Sequence, residues 1–243
     1  MTNEKLTKKE RYDLKKQEKE EVFKKLTQKR NTRRFLLWGT TVSVIALSVW
    51  GIASWVGKIA PDYDVKPVGE ITESDWVKGS MDASVTLMAY EDFQCPACAT
   101  YHPFVKQLGQ DFPEDLRVIF RHFPLKSIHK KAQIAGQAVE AAGMQGKFWE
   151  MHDILFERQD EWVSGNHDEL FISYVRELGL DVEKFSIDLE SDFVRDRVDS
   201  DFANGQRAGI NSTPSFLVNG TYITNPRSYD AFREIINDKI TSK

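Results

Sequence analysis

Val85-Thr86-Leu87-Met88-Ala89-Tyr90, then Glu91-Asp92-Phe93-Gln94, then Cys95-Pro96-Ala97-Cys98, is the stretch that decides the reading of this chain. Its first six residues are a short apolar run rich in β formers and read as a strand. The next four turn the chain. Pro96 suits the first position of a helix, where an N–H would have no intrahelical partner. That helix is expected to run through Val105 and Leu108 to near Gly109, with a bend at Pro103. Leu116-Arg117-Val118-Ile119-Phe120-Arg121 alternates in polarity and reads as a second strand. Strand, helix and strand within about 40 residues make a βαβ unit with parallel strands.

Downstream, residues 127 to about 208 carry a helical pattern. Ala132, Ala135, Ala138, Val139 and Ala142 define one helix, closed by Gly143 or Gly146. Phe148, Met151, Ile154 and Leu155 open a second. Leu170, Tyr174, Val175 and Leu178 form a third, ended by Gly179, and Phe193, Val198 and Phe202 a fourth. Strands resume at Ser215-Phe216-Leu217-Val218. Asn219-Gly220 signals a tight hairpin because both positions tolerate positive φ. Tyr222-Ile223 then continues antiparallel, and Tyr229 to Ile240 reads as a closing helix. The expected fold class is α/β with a mixed sheet and an inserted helical block.

The 243 residues are 41% hydrophobic and 29% charged, which excludes a disordered chain and a polytopic membrane protein. The charge is uneven. Residues 1–34 carry 13 Lys/Arg against 6 Asp/Glu, whereas the whole chain has a net charge of −4. Residues 35–57 contain no charge, long enough for a helix across a bilayer core, which needs about 20 apolar residues. Arg33 and Arg34 precede this run, and Asp62 and Asp64 follow it. The positive-inside bias therefore sets a cytoplasmic N-terminus and an extracytoplasmic body. A cleaved signal peptide is the alternative, although the run exceeds the usual length of about 7–15 residues for a signal core. The expected organisation is a basic cytoplasmic tail at 1–34, one transmembrane helix (a signal anchor) at 35–57, a linker at 58–78 and a domain at 79–243. The tail lacks the interleaved aromatics and reading motifs of a nucleic-acid binder.

The two cysteines, Cys95 and Cys98, exclude a disulfide-stapled scaffold and a four-cysteine zinc site. A Cys-x-x-Cys that opens a helix places its first sulfur at the positive end of the helix dipole, among unsatisfied N–H groups. The consequence is a lowered pKa at Cys95, making it a reactive nucleophile and a good leaving group. Cys98 lies one turn further in, can reach Cys95 and is the more shielded. Two cysteines can also form half a metal site, but His102, His122, His129, His152 and His167 show no pair at ligand spacing, so no metal is expected. Thr213-Pro214 enters a strand edge. Beside Cys95, the Thr213 backbone could pair with an extended substrate segment.

Four ordered motifs now carry a family likeness. They are Glu91 to Cys98, Arg121-His122-Phe123-Pro124-Leu125, Gly146-Lys147-Phe148-Trp149-Glu150-Met151-His152, and Thr213 to Gly220. Over residues 75–241 the chain resembles DsbA-like thiol–disulfide oxidoreductases of the thioredoxin superfamily. The resemblance implies a thioredoxin-like fold with an inserted helical domain at about 127–208, here preceded by the N-terminal transmembrane helix. It also implies a cis peptide at Pro214, a nucleophile at Cys95, a resolving thiol at Cys98 and substrate pairing at Thr213. Pro96, Ala97, Thr213 and Pro214 are the expected substrate-binding residues. The only redox group is the Cys95–Cys98 disulfide, with no separate cofactor. Implied partners are reduced exported proteins and a membrane quinone-linked thiol oxidase that recycles the pair.

Two departures stand out. The buried acid that such proteins often carry six residues before the first cysteine is here Ala89. Water, Glu91 or Asp92 must then handle the Cys98 proton, unless both acids serve only helix entry or the surface. The Pro-Ala dipeptide also lacks a histidine, which predicts a less oxidising pair. His102 is expected either to tune the cysteines or to pack. The preferred reading is an extracytoplasmic oxidase of exported thiols. A reductase or isomerase on the same fold, or a non-catalytic binding module, are the alternatives.

Overall fold

The computed structural model describes residues 71–242, together with Trp38, Leu47 and Ser48. The tail, the transmembrane helix expected at 35–57 and most of the linker lie outside the described residues. Among the described residues no helix is long and apolar enough to cross a membrane. The chain divides into two compact units, residues 1–62 and 63–243, and the described fold belongs to the second.

That fold is a mixed five-stranded sheet with helices on both faces and a helical block between its third and fourth strands. The strands are β1 (Trp76–Gly79), β2 (Val85–Glu91), β3 (Leu116–His122), β4 (Ser215–Val218) and β5 (Thr221–Ile223), in the spatial order β1-β3-β2-β4-β5. Only β2 and β3 are parallel, joined by the crossover helix α1 (Pro96–Asp111), and the other pairings are antiparallel. The block contains α2 (Ala132–Gly143), α3 (Phe148–Glu157), α4 (Gln159–Ser164), α5 (His167–Glu177), α6 (Val182–Leu189) and α7 (Asp192–Arg207). Helix α8 (Tyr229–Thr241) closes the domain.

Strand β2 is buried along its whole length, as expected for a central strand covered on both faces. Its side chains alternate between two cores. Val85, Leu87 and Ala89 pack with Leu108 of α1 and with Phe232 and Ile236 of α8. Met88 and Tyr90 pack with Phe123, Ile210 and Leu217 on the other face. The hairpin between β4 and β5 turns at Asn219 and Gly220, with φ of 48° and 75°, as the Asn-Gly pair predicts.

Four features depart from the sequence reading. Trp76–Gly79, at the end of the stretch read as linker, is a strand on β3. Four residues are too few to show a period. Distant partners decide the case: Trp76 stacks on Phe148 at 4.3 Å and donates Nε1–H to Glu140 at 2.9 Å. The expected fourth helix exists as α7, but Phe193 is exposed, and Val194 and Val198 form its buried stripe. Two further short helices, α4 and α6, complete the block. The helix expected to end near Gly109 instead runs to Asp111, with Pro103 inside it.

Candidate active site

Strand β2 ends at Glu91, and a tight turn, closed by Cys95 N–H donating to the Asp92 carbonyl at 3.0 Å, delivers Cys95 to the N-cap of α1. The Cys95 backbone is extended there (φ −76°, ψ 120°) and has no side-chain cap. Asp92 holds the turn from within. Its Oδ1 accepts from Gln94 N–H at 2.7 Å, and its Oδ2 accepts from Leu125 N–H at 2.9 Å and lies 2.7 Å from His129 Nδ1. From the helical block, Gln159 donates Nε2–H to the carbonyls of Phe93 and Cys95 at 2.6 and 3.0 Å. The inserted helices therefore brace the cysteine loop directly.

Both cysteines are free thiols. Pro96 and Ala97 between them are exposed, whereas Cys98 is fully buried. The Cys95 thiol points at the Thr213 carbonyl, with Sγ and O 3.5 Å apart. The Thr213–Pro214 peptide is cis. Asn225 Nδ2 donates to the Pro214 carbonyl at 2.8 Å, and Ser215 Oγ donates to the Ser212 carbonyl at 2.8 Å. All six residues singled out from the sequence, Cys95, Pro96, Ala97, Cys98, Thr213 and Pro214, thus meet at one end of the central strands, past the end of β2 and beside the start of β4. They come from two segments more than a hundred residues apart.

The electrostatics split the two sulfurs. A hydrogen bond from the Cys98 thiol does most to bring the Cys95 pKa down to about 5, and burial opposes it. Contact with Thr213 and the backbone N–H groups of Cys98 and Ala97 act in the same direction as the Cys98 thiol. Burial pushes Cys98 well above the usual thiol range, and its bond to Cys95 and the charge of Glu91 add to that. Such a pair is a thiolate beside a thiol at neutral pH. The thiolate attacks disulfides or leaves readily, and the thiol needs a base before it can attack.

Glu91 meets that need. Both acids, Glu91 and Asp92, are buried, which excludes a surface role, and Asp92 is spent on the turn into the helix. Burial, with the nearby charge of Cys95, raises the Glu91 pKa to about 8. Its Oε1 has no hydrogen-bond partner. A carboxyl poised near neutral pH beside the cysteines can give or take the Cys98 proton. The sequence named Glu91 as one of three options and could not choose, since the direction of its side chain depends on strand register.

Two of the histidines meet in space. His102 of α1 and His152 of α3 lie with ring centroids 5.4 Å apart, although no sequence spacing pairs them. The His102 ring also stacks on Phe156. Burial pushes both imidazoles below the usual histidine range, His152 to about 4.

A family model described as Thioredoxin matches residues 72–238, and the chain belongs to that family. Its solved neighbours include DsbA-type proteins, whose fold this chain shares. The thioredoxin-like oxidoreductase from Silicibacter pomeroyi DSS-3 superposes with a TM-score of 0.61 at 25% identity, over 71% of this chain and 95% of that one. The α-DsbA1 of Wolbachia pipientis shares the fold, with a TM-score of 0.64 at 17% identity over 72% of this chain and 97% of that one. Among curated proteins, the Na(+)/H(+) antiporter NhaA 1 of Salinispora arenicola is 38% identical over 148 residues, 61% of this chain and 22% of that protein. The chain spans about a quarter of the length of the curated relatives it matches.

Proposed function

We propose that this chain oxidises thiols of exported proteins outside the cytoplasm, anchored by residues 35–57. The observation that carries the reading is the division of labour at the cysteine pair, with Cys95 brought to about 5 and Cys98 held protonated. A stabilised thiolate favours the reduced pair, and a pair stable when reduced is a strong oxidant.

The steps follow from the geometry. A substrate thiolate attacks Cys95 Sγ of the Cys95–Cys98 disulfide, forming a substrate–Cys95 bond and breaking the Cys95–Cys98 bond. Cys98 leaves with the electron pair and takes a proton from Glu91. A second substrate thiolate then attacks the substrate sulfur of the mixed disulfide. Cys95 leaves as a thiolate, the substrate gains a disulfide, and two electrons rest on the cysteine pair. The Thr213 backbone pairs with the extended substrate, and Pro96, Ala97 and Pro214 form the surface it lies against. A membrane quinone-linked thiol oxidase removes the two electrons.

The uncharged Pro96-Ala97 dipeptide favours a second reading, a reductase or isomerase on the same residues. The in-cell redox state separates the two. Trapping with an alkylating reagent is expected to find the pair mostly oxidised, and to find mixed disulfides accumulating at Cys95 in a Cys98→Ser variant. A mostly reduced pair favours the reductase. A Cys95→Ser variant that still oxidises a reduced test protein removes both.

A further inference from the structure

We propose that His102, His152 and Asp153 form a binding site for a divalent transition-metal ion of the zinc class, separate from the cysteine pair. The three residues present one ligand atom each, all within 4.8 Å of one another. His152 Nδ1 lies 3.0 Å from Asp153 Oδ1, and His102 Nε2 lies 3.8 Å from the same oxygen. Ligands about 2.0–2.2 Å from a tetrahedral ion sit at separations of this order, so small side-chain movements suffice. Two imidazoles and one carboxylate are a zinc-type donor set that leaves a fourth position open. Glu157 Oε1, 3.8 Å from His102 Nε2 and half exposed, stands at that open side.

The second observation is an orphan. The His102 side chain is only 6% exposed, and its Nε2 has no hydrogen-bond partner. Buried polar atoms without partners are rare and call for a reason. This nitrogen faces the Asp153 oxygen at a distance too long for a hydrogen bond and suited to a shared ion.

The cation environment shapes the site. Lys106 and Lys78 lie 3.2 and 3.7 Å from Asp153 Oδ2, and Lys106 also pairs with Glu157 Oε1 at 2.7 Å. The lysines hold the outer carboxylate oxygen, which leaves Oδ1 turned toward the imidazoles, as partners behind a metal ligand do. An ion there replaces the proton that His152 Nδ1 and Asp153 Oδ1 now share. It also ties α1, which carries the cysteines, to α3 of the helical block, and so stabilises the folded state by mass action.

The test uses the full chain with its cysteines locked as the disulfide, so that sulfur offers no ligand. Zinc is titrated against a chromophoric chelator while the histidine imidazole resonances are followed by NMR. One ion per chain, with the resonances of His102 and His152 moving and those of His129 and His167 fixed, is the expected result. His102→Gln is expected to weaken binding by more than about 100-fold, the upper end for loss of a mere supporting partner, and to abolish any zinc-induced rise in melting temperature. The Cys95→Ser/Cys98→Ser double variant is expected to bind as the wild type does. Absence of binding to the oxidised wild type overturns the proposal, as does movement of other histidines alone. These two readouts need no variant to fold.

Discussion

Glu91 is buried within electrostatic reach of Cys98, and its charge raises the pKa of a thiol that burial already disfavours as a thiolate. The acid thus opposes ionisation of the sulfur while holding the means to deprotonate it, a combination that suits a proton relay.

Glu91→Gln removes the relay without changing the side-chain shape. General acid–base groups contribute about 10²–10⁴-fold, so attack of Cys98 on a mixed disulfide at Cys95 is expected to slow by about 100-fold or more. Stopped-flow release of a chromogenic thiol from Cys95 measures this step. Alkylation of Cys95 in the same variant is expected to stay as fast as in the wild type. An unchanged release rate assigns the proton to water instead.

The pH dependence of stability carries a definite sign. The folded pKa of Cys95 is about 5 against an ordinary 9.0. A depressed pKa contributes stability that is complete above the ordinary value and lost as pH falls toward the folded one. Only the reduced protein has this thiolate. Its melting temperature relative to the oxidised form is therefore expected to rise from pH 5 to about pH 8. Over that range Cys98 is protonated in both the folded and unfolded chain, whereas nearer its ordinary 9.0 the unfolded thiol ionises and offsets part of the Cys95 gain. Glu91, raised to about 8, works in the opposite sense, its contribution being lost as pH rises through that value. The burial part of that shift, its largest cause, is common to both redox forms, so the difference cancels it. Alkylation of Cys95 should likewise reach half its maximal rate near pH 5.

Gln159→Leu leaves the Phe93 carbonyl without its donor from α4. An unsatisfied buried acceptor costs about 1–3 kcal/mol, and a loss of that size is expected in urea denaturation. Because the same amide also binds the Cys95 carbonyl, the variant is expected to exchange disulfides more slowly too. A loss of stability with unchanged exchange would mean that the brace serves folding alone.

Arg121 and Asp75 form a fully buried ion pair at 2.9 Å, and Arg121 also donates to Tyr90 Oη at 3.1 Å. Arg121→Met takes the guanidinium away from a buried carboxylate whose Oδ2 still accepts from Thr72, and breaking a buried pair costs about 3–5 kcal/mol. The expected fall in the urea midpoint is larger than for Gln159→Leu, and raising the salt concentration is not expected to restore it, since buried pairs are poorly screened.

Local signals carried much of this protein. The apolar run 85–90, Pro96 and the alternation at 116–121 announced the βαβ unit, because strand and helix preferences act over a few residues. Asn219-Gly220 announced its hairpin for the same reason, and the two-residue gap between Cys95 and Cys98 already placed the sulfurs one helical turn apart. What proximity in space decides was not legible. Trp76–Gly79 becomes a strand only because β3 and Phe148 are there to receive it. Glu91 turns inward only because β2 is covered on both faces. His102 and His152, fifty residues apart, meet only because α1 and α3 pack together. Backbone propensity is a property of neighbours along the chain. Burial, and the pKa values and buried partners that follow from it, arise only when distant segments exclude water together.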